Sequence, residues 1–134
     1  MVEWEKATVH LSELAWSAIS AVFEGVRAYW NPENKQLYIF HLDAHLKRLF
    51  QSMKIMRMTS PFSKEELTDA FLQILKANEC RSDTYLQPLA YFSGGVPGYM
   101  AVLEQPGEIV ITTRSAASGL DEEKVVHCNI SSWS

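Results

Sequence analysis

The residues from Ala21 to Tyr29 alternate between two kinds of side chain. Successive residues of a β-strand point to opposite faces of the sheet, so the odd and even positions form separate surfaces. The even positions are mostly apolar and can pack against helices, with Glu24 as the exception. The odd positions combine aromatic rings, a glycine and a cation, which suits a pocket wall for a planar, anionic small molecule. The odd positions are Phe23, Gly25, Arg27 and Tyr29.

Strand-like segments lie on both sides of a helical region. A turn signal at 31–34 follows the first long strand and brings the chain back as the second strand of a hairpin. Pro88 has no N–H to donate to a ladder, so its strand is expected to lie at the sheet edge, or to be bulged or bent there. The predicted strands are Ala7–Leu11, 18–30, Gln36–Phe40, Thr84–Phe92, Glu108–Thr113 and Lys124–Ile130.

Two amphipathic helices are predicted in the middle of the chain. From Leu42 onwards the apolar residues recur with helical spacing, and this helix is expected to end near Met56–Met58. Ser63 and Glu66 have the spacing of a capping box and predict the start of a second helix. That helix carries an apolar stripe suited to packing on a sheet, and Asn78 is its expected end.

This order of elements predicts an α+β fold, an antiparallel sheet with two helices packed on one face. At 134 residues the chain is long enough to form one domain with its own core. Its composition, 47% hydrophobic and 21% charged, is typical of a soluble globular protein. The sheet face away from the helices is expected to remain free.

Charge, hydropathy and cysteine content exclude several classes of function. The formal net charge of −4 gives no basic footprint of the kind that nucleic-acid binding requires, so we expect no nucleic-acid partner. No apolar run approaches the ~18 residues that span a bilayer and no signal-peptide pattern is present, so we expect no membrane association and a cytoplasmic location. Cys80 and Cys128 are far apart and match no metal or redox spacing, which indicates a reducing compartment.

The long strand predicted at 18–30 contains three residues that are open to more than one interpretation. Arg27 can bind an anion or pair with a surface carboxylate, and residue chemistry alone does not decide between these. Gly25 in mid-strand marks a bulge or the close approach of a ligand or backbone. Glu24 is interpreted as the structural partner of a nearby cation rather than as a general base.

The first helix carries a polar stripe at His41, His45, Arg48 and Ser52. The two histidines have the spacing of zinc ligands on one helix face, but no third ligand with matching position follows, so no metal site is expected. Arg48 is the more informative residue, because a guanidinium beside a cleft binds a phosphate with two parallel hydrogen bonds. The alternative is a solvated arginine, which is the common case on helices.

Tyr85 and Gln87 share one face of a later strand. The glutamine amide both donates and accepts hydrogen bonds, so it is able to bind the polar end of a substrate. An exposed glutamine at a sheet edge needs no such function. None of the seven lysines of the chain lies in an apolar strand context suited to forming a Schiff base.

Taken together, these segments resemble the class IV (fold type IV) pyridoxal-phosphate aminotransferases, and among them the branched-chain amino-acid aminotransferases. Ala21–Tyr29 is similar to the family's segment Ser-Val-Phe-Glu-Gly-Ile/Val-Arg-x-Tyr. Further similar segments follow in the order and spacing of the family. They are Phe40–Leu49, Ser52–Ile55, Thr84–Leu89 and Ser131–Trp133.

The resemblance implies a small domain that forms one wall of an active site in a homodimer. It implies that Arg48 holds the phosphate of pyridoxal 5'-phosphate. It also implies that the segment 94–99 reaches toward the active site of the partner subunit. The residues that match positions lining or supporting the substrate pocket are Phe23, Gly25, Arg27, Tyr85, Gln87 and Trp133.

Three departures from the family pattern bear on function. Ala18 stands where a tyrosine is common, which changes the shape of the pocket. Gln87 replaces an arginine that, in the family, helps to accept the acidic side chain of glutamate. The resemblance therefore leaves open whether the amine donor is glutamate or another amine. The Schiff-base lysine and the large cofactor domain are expected beyond Trp133 and are not among these residues.

We therefore interpret residues 1–134 as the N-terminal small domain of an enzyme that transfers an amino group between an amino acid and a 2-oxo acid. Because the Schiff-base lysine is missing, the chain alone is expected to be inactive and not to bind pyridoxal phosphate stably. No catalytic residue is assigned to it. Two alternatives are a free-standing binding or dimerisation module, and a domain of an (R)-amine or D-amino acid transaminase, which Gln87 keeps open.

Overall fold

The computed structural model describes residues 1–8, 21–92 and 106–116. These residues form one five-stranded antiparallel sheet with two helices, which confirms the predicted α+β fold. The strands are β1 Ala21–Phe23, β2 Val26–Asn31, β3 Gln36–Ile39, β4 Thr84–Tyr91 and β5 Glu108–Ser115. The helices are α1 Leu42–Ile55 and α2 Lys64–Ala77, and a short 3-10 helix spans Trp4–Lys6.

Strands β1 and β2 are two parts of the single long strand that the alternating pattern predicts. Both pair with the same edge of β4, β1 from Ala21 opposite Tyr91 and β2 from Val26 opposite Leu86. The pairing register with β4 is the same in β1 and in β2, so residues 24 and 25 between them contain no inserted residue. The ladder is interrupted at residues 24 and 25, where the long strand passes Pro88.

Pro88 lies inside the sheet, so the expectation of an edge strand is wrong. Strand β4 pairs with β1 and β2 on one side and with β5, along its whole length, on the other. The Pro88 carbonyl accepts a hydrogen bond from the Glu24 N–H at 3.1 Å, but Pro88 has no N–H to return. The proline therefore costs one ladder bond on a single side and leaves the pairing with β5 intact.

Both helices form where the sequence predicts them. Helix α1 begins at Leu42 and buries Leu46, Leu49 and Met53. Helix α2 is preceded by the predicted capping box, in which the Ser63 hydroxyl accepts from the Glu66 N–H and the Glu66 carboxylate accepts from the Ser63 N–H. An ion pair between Lys64 and Asp43 connects the first turns of the two helices.

The core lies between the helices and the even positions of the long strand. Val26 and Ala28 are fully buried there, whereas Phe23 and Arg27 on the other face are exposed. Leu86 and Ala90 of β4 and Phe71 of α2 complete the centre of this layer. In the described part of the chain, the sheet therefore has one covered face and one open face, as the odd and even positions predict.

Several predictions concern residues outside the described ranges. They are residues 9–11 of the strand predicted at Ala7–Leu11, residues 18–20 of the long strand, the segment 94–99 and the strand Lys124–Ile130. Ala18, Cys128 and Trp133 also lie there. Within the described ranges, no helix has the length and apolar character required to cross a membrane.

Candidate functional site

The open sheet face is built from rows of directly opposed residues on neighbouring strands, which point the same way. At one end, Phe23, Leu89 and Val110 form an apolar row. Four residues further along the long strand, Arg27, Tyr85 and Arg114 form a cationic row. We call these the apolar row and the arginine row. Gln87 lies between them, opposite Thr112.

Gly25 is required by the tyrosine of the arginine row. A Cβ atom at position 25 would lie 2.6 Å from the Tyr85 hydroxyl oxygen and 3.1 Å from its Cε2. The ring of Tyr85 therefore occupies the space that a side chain at position 25 would fill. The close approach expected at Gly25 is made by an aromatic side chain, whose hydroxyl lies beside the interruption in the ladder.

Arg114 is the charged residue of the arginine row that the sequence argument missed. Its guanidinium carbon lies 4.5 Å from the centroid of the Tyr85 ring, within the range of a cation–π contact. The strand predicted at Glu108–Thr113 ended one residue before Arg114, whereas β5 continues to Ser115. The alternation of that strand, extended by two residues, would have placed Arg114 on the same face as Thr112.

The carboxylate of Glu24 lies on the opposite, covered face, where it binds Arg48 of α1. The Arg48 Nε donates to Glu24 Oε1 at 2.6 Å, and Nη2 donates to Oε2 at 2.5 Å. His45 Nδ1 lies 3.0 Å from the same Oε2. The Glu24 side chain is 6% exposed, whereas that of Arg48 is 65% exposed. Glu24 is thus the structural partner of a cation, as interpreted from the sequence.

The electrostatics of this cluster follow from the two parallel hydrogen bonds. The Arg48 guanidinium lowers the pKa of Glu24 below its ordinary value, against the opposing effect of burial, and His45 lowers it further. In return, the Glu24 carboxylate raises the pKa of Arg48. Both groups are therefore charged at neutral pH, and the Arg48 side chain is held in one orientation at the protein surface.

The two histidines of the polar stripe have separate surroundings. His45 faces Glu24, whereas His41 precedes α1 in a left-handed conformation and packs edge-on against Phe40, with ring centroids 4.2 Å apart. Among the described residues, no three His, Cys, Asp or Glu side chains are grouped closely enough to hold a metal ion.

The predicted residues therefore fall into two groups. The open face brings together Phe23, Gly25, Arg27, Tyr85 and Gln87, while Arg48 lies on the helix side with Glu24. An open depression of about 410 Å³ at the β2–β3 turn contains none of these residues. Within residues 1–8, 21–92 and 106–116, the open face is thus one wall with no second surface opposite it.

Comparison with known proteins defines the class to which this wall belongs. A family model described as amino-transferase class IV matches residues 21–134. The chain therefore belongs to the class IV aminotransferases, which confirms the family suggested by the sequence motifs.

Several relatives of this chain are named as branched-chain aminotransferases. The probable branched-chain-amino-acid aminotransferase of Aquifex aeolicus is 33% identical over 133 residues, covering 99% of this chain and 42% of that protein. The branched-chain-amino-acid aminotransferase of Pseudomonas aeruginosa is 36% identical over 101 residues, covering 75% of this chain and 32% of that protein. The chain thus spans less than half the length of these relatives.

Solved structures agree with the sequence comparison. The branched-chain amino acid aminotransferase of Thermobaculum terrenum, in its PLP-form, superposes with a TM-score of 0.79 and 41% identity over 87% of this chain and 38% of that chain. The branched-chain aminotransferase of the thermophilic archaeon Thermoproteus uzoniensis, solved with norvaline, superposes with a TM-score of 0.77 and 34% identity, over 85% and 37% of the two chains.

Proposed function

We propose that residues 1–134 form the small domain of a branched-chain-type aminotransferase, an enzyme that transfers an amino group between an amino acid and a 2-oxo acid. The observation that carries this proposal is the open sheet face, which combines an apolar row with an arginine row on a chain of this family. In this proposal the face is one wall of the substrate site. The other wall and the Schiff-base lysine belong to the large domain of such an enzyme.

Arg48 is proposed to hold the phosphate of pyridoxal 5'-phosphate. A guanidinium has five N–H donors, and Glu24 takes one from Nε and one from Nη2. The Nη1 group makes no described hydrogen bond and the side chain is mostly exposed, so the residue fits a phosphate with its remaining donors. The bound cofactor would supply the electron sink that aminotransferase chemistry requires.

The chain's own side chains have binding roles in this proposal. The apolar row receives a branched aliphatic side chain, since burial of each CH₂ contributes about 0.8 kcal/mol. Tyr85 and Gln87 supply hydrogen-bonding groups beside it, and Trp133 is proposed to line the same pocket. A homodimer and a cytoplasmic location are proposed as well. The exposed rings of Phe23, Tyr29 and Phe40 support a second surface docking on this face.

A chimeric enzyme tests the proposed function. The part of the T. terrenum enzyme that superposes on this chain is replaced by residues 1–134, and amino transfer from leucine to a 2-oxo acid is measured. We expect cofactor-dependent amino transfer by the chimera. A folded chimera that retains pyridoxal phosphate and shows no amino transfer would contradict the proposal, as would activity only with (R)-amines or D-amino acids.

The chain without a large domain is the matched control. We expect no amino transfer, and no covalent adduct with pyridoxal phosphate after borohydride reduction, as measured by intact mass. A lysine of this chain that is trapped specifically would show that the chain contains its own cofactor attachment site, which our assignment does not allow.

A further inference from the structure

We propose that Arg27 and Arg114, on either side of Tyr85, form a site for the second carboxylate of a dicarboxylic substrate. This inference rests on the proposed function and names Arg114 as a residue that determines specificity. The site would bind the side-chain carboxylate of an acidic amino acid or of the corresponding 2-oxo acid.

The first support is the geometry of the arginine row. Arg27 and Arg114 are the direct cross-strand neighbours of Tyr85 on its two sides. With neighbouring strands ≈ 4.8 Å apart, their Cα atoms are separated by about 10 Å. Both side chains are exposed, and Arg114 already lies over the tyrosine ring. An arginine side chain is long enough for both guanidinium groups to meet one carboxylate above that ring.

The second support is the charge of the row. No ion pair among the described residues involves Arg27 or Arg114. Asp83 immediately precedes β4, and its Oδ1 accepts a hydrogen bond from the Trp30 N–H at 2.9 Å. Two cations therefore face the same space without a described carboxylate partner, and the positive potential of this space favours an anion.

The third support is the position of Arg114 relative to Gln87. Gln87 is opposite Thr112, so Arg114 is its diagonal neighbour on the same face. Diagonal neighbours are ≈ 7–8 Å apart, which a long side chain can bridge. Arg114 is therefore able to supply positive charge beside the neutral amide of Gln87. The face therefore has a positive charge for an acidic side chain even though Gln87 is neutral.

The separation of the two rows indicates why one face would accept two kinds of substrate. The apolar row and the arginine row are four residues apart along the long strand, or about 13 Å at the usual rise. An aliphatic side chain directed to the first row avoids the cations, and an acidic side chain directed to the second row meets them. Amino transfer between an aliphatic and an acidic partner needs both arrangements in one site.

The test is a titration of the isotope-labelled chain with two probes, followed by NMR. Glutarate carries two carboxylates, and 4-methylvalerate carries one carboxylate and a branched apolar end. We expect glutarate to shift the Arg114 Nε–H signal and the Tyr85 ring signals. Arg114→Gln is expected to weaken glutarate binding about tenfold, the loss of one charged hydrogen-bond pair, and to leave 4-methylvalerate unchanged.

Two further variants separate a specific site from general charge and from misfolding. Arg57→Gln removes the same charge just after α1 and is expected to leave glutarate binding unchanged. Arg114→Lys keeps the charge and loses the planar fork, so intermediate binding is expected. The inference is overturned if glutarate does not bind, if both probes respond equally to Arg114→Gln, or if Arg57→Gln has the same effect.

The chimeric enzyme distinguishes failure of this inference from failure of the proposed function. An active chimera in which Arg114→Gln leaves the KM for 2-oxoglutarate unchanged would refute the carboxylate site and leave the proposed function standing. An inactive chimera together with Arg114-dependent binding of glutarate by the chain would refute the proposed function alone.

Discussion

At the residue scale, Glu24 connects the sheet to the proposed cofactor site. It is a buried carboxylate in the middle of a strand, and it is stabilised because Arg48 donates two parallel hydrogen bonds to it. The same bonds orient an exposed guanidinium that otherwise has many rotamers. The residue thus has both a stabilising role and a positioning role.

Glu24→Gln is predicted to destabilise the chain by about 1–3 kcal/mol at pH 7, because it removes a charged acceptor from two hydrogen bonds. The folded-state pKa of Glu24 is lowered, so its contribution is complete above its ordinary value of 4.5 and is lost as the pH falls below that value. The difference in unfolding free energy between the wild-type chain and the variant should therefore shrink in acid. Urea unfolding at several pH values measures this.

Glu33→Gln is the matched control, because Glu33 is exposed in the β2–β3 turn. It should leave the free energy of unfolding within about 0.5 kcal/mol of the wild-type value. A Glu24→Gln variant as stable as this control at pH 7 would show that the pair with Arg48 does not stabilise the fold.

At the scale of elements, the sequence predicts local features well and cross-strand features poorly. The capping box at Ser63 and the alternation in the long strand depend on residues close in sequence, and both are confirmed. For Pro88 the sequence predicts an edge strand, a bulge or a bend, because a proline costs a ladder bond. In the sheet that cost falls on one side only, since successive N–H groups of a strand point to opposite neighbours. Arg114 was missed because its position beside Tyr85 depends on the β4–β5 register.

Ser63→Ala is predicted to destabilise the chain by about 1 kcal/mol, because it leaves the Glu66 N–H at the start of α2 without its acceptor. Thermal or urea unfolding measures the loss. Ser82→Ala, an exposed serine before β4, is the control and should have little effect. Equal stability of the two variants would show that the capping box does not contribute to the fold.

At the scale of the whole molecule, the residues proposed for the site lie on opposite faces of one sheet. The open face presents the apolar and arginine rows, and the helix side presents Arg48. The sequence motifs alone identified most of these residues, because the family pattern assigns them by position. They lie on two faces because successive strand residues alternate. Phe23, Gly25 and Arg27 point to the open face, and Glu24, which binds Arg48, points to the helices.

The central claim is that Arg48 holds the cofactor phosphate in an aminotransferase site that this chain helps to form. The most direct measurement is the dissociation constant of the chimeric enzyme for pyridoxal 5'-phosphate and for pyridoxal, which lacks the phosphate. Arg48→Gln is predicted to weaken the phosphorylated form about tenfold or more and to leave pyridoxal unchanged. Lys47→Gln, its exposed neighbour on α1, should change neither. Equal effects of Arg48→Gln on both ligands, or equal effects of the two variants, would contradict the account.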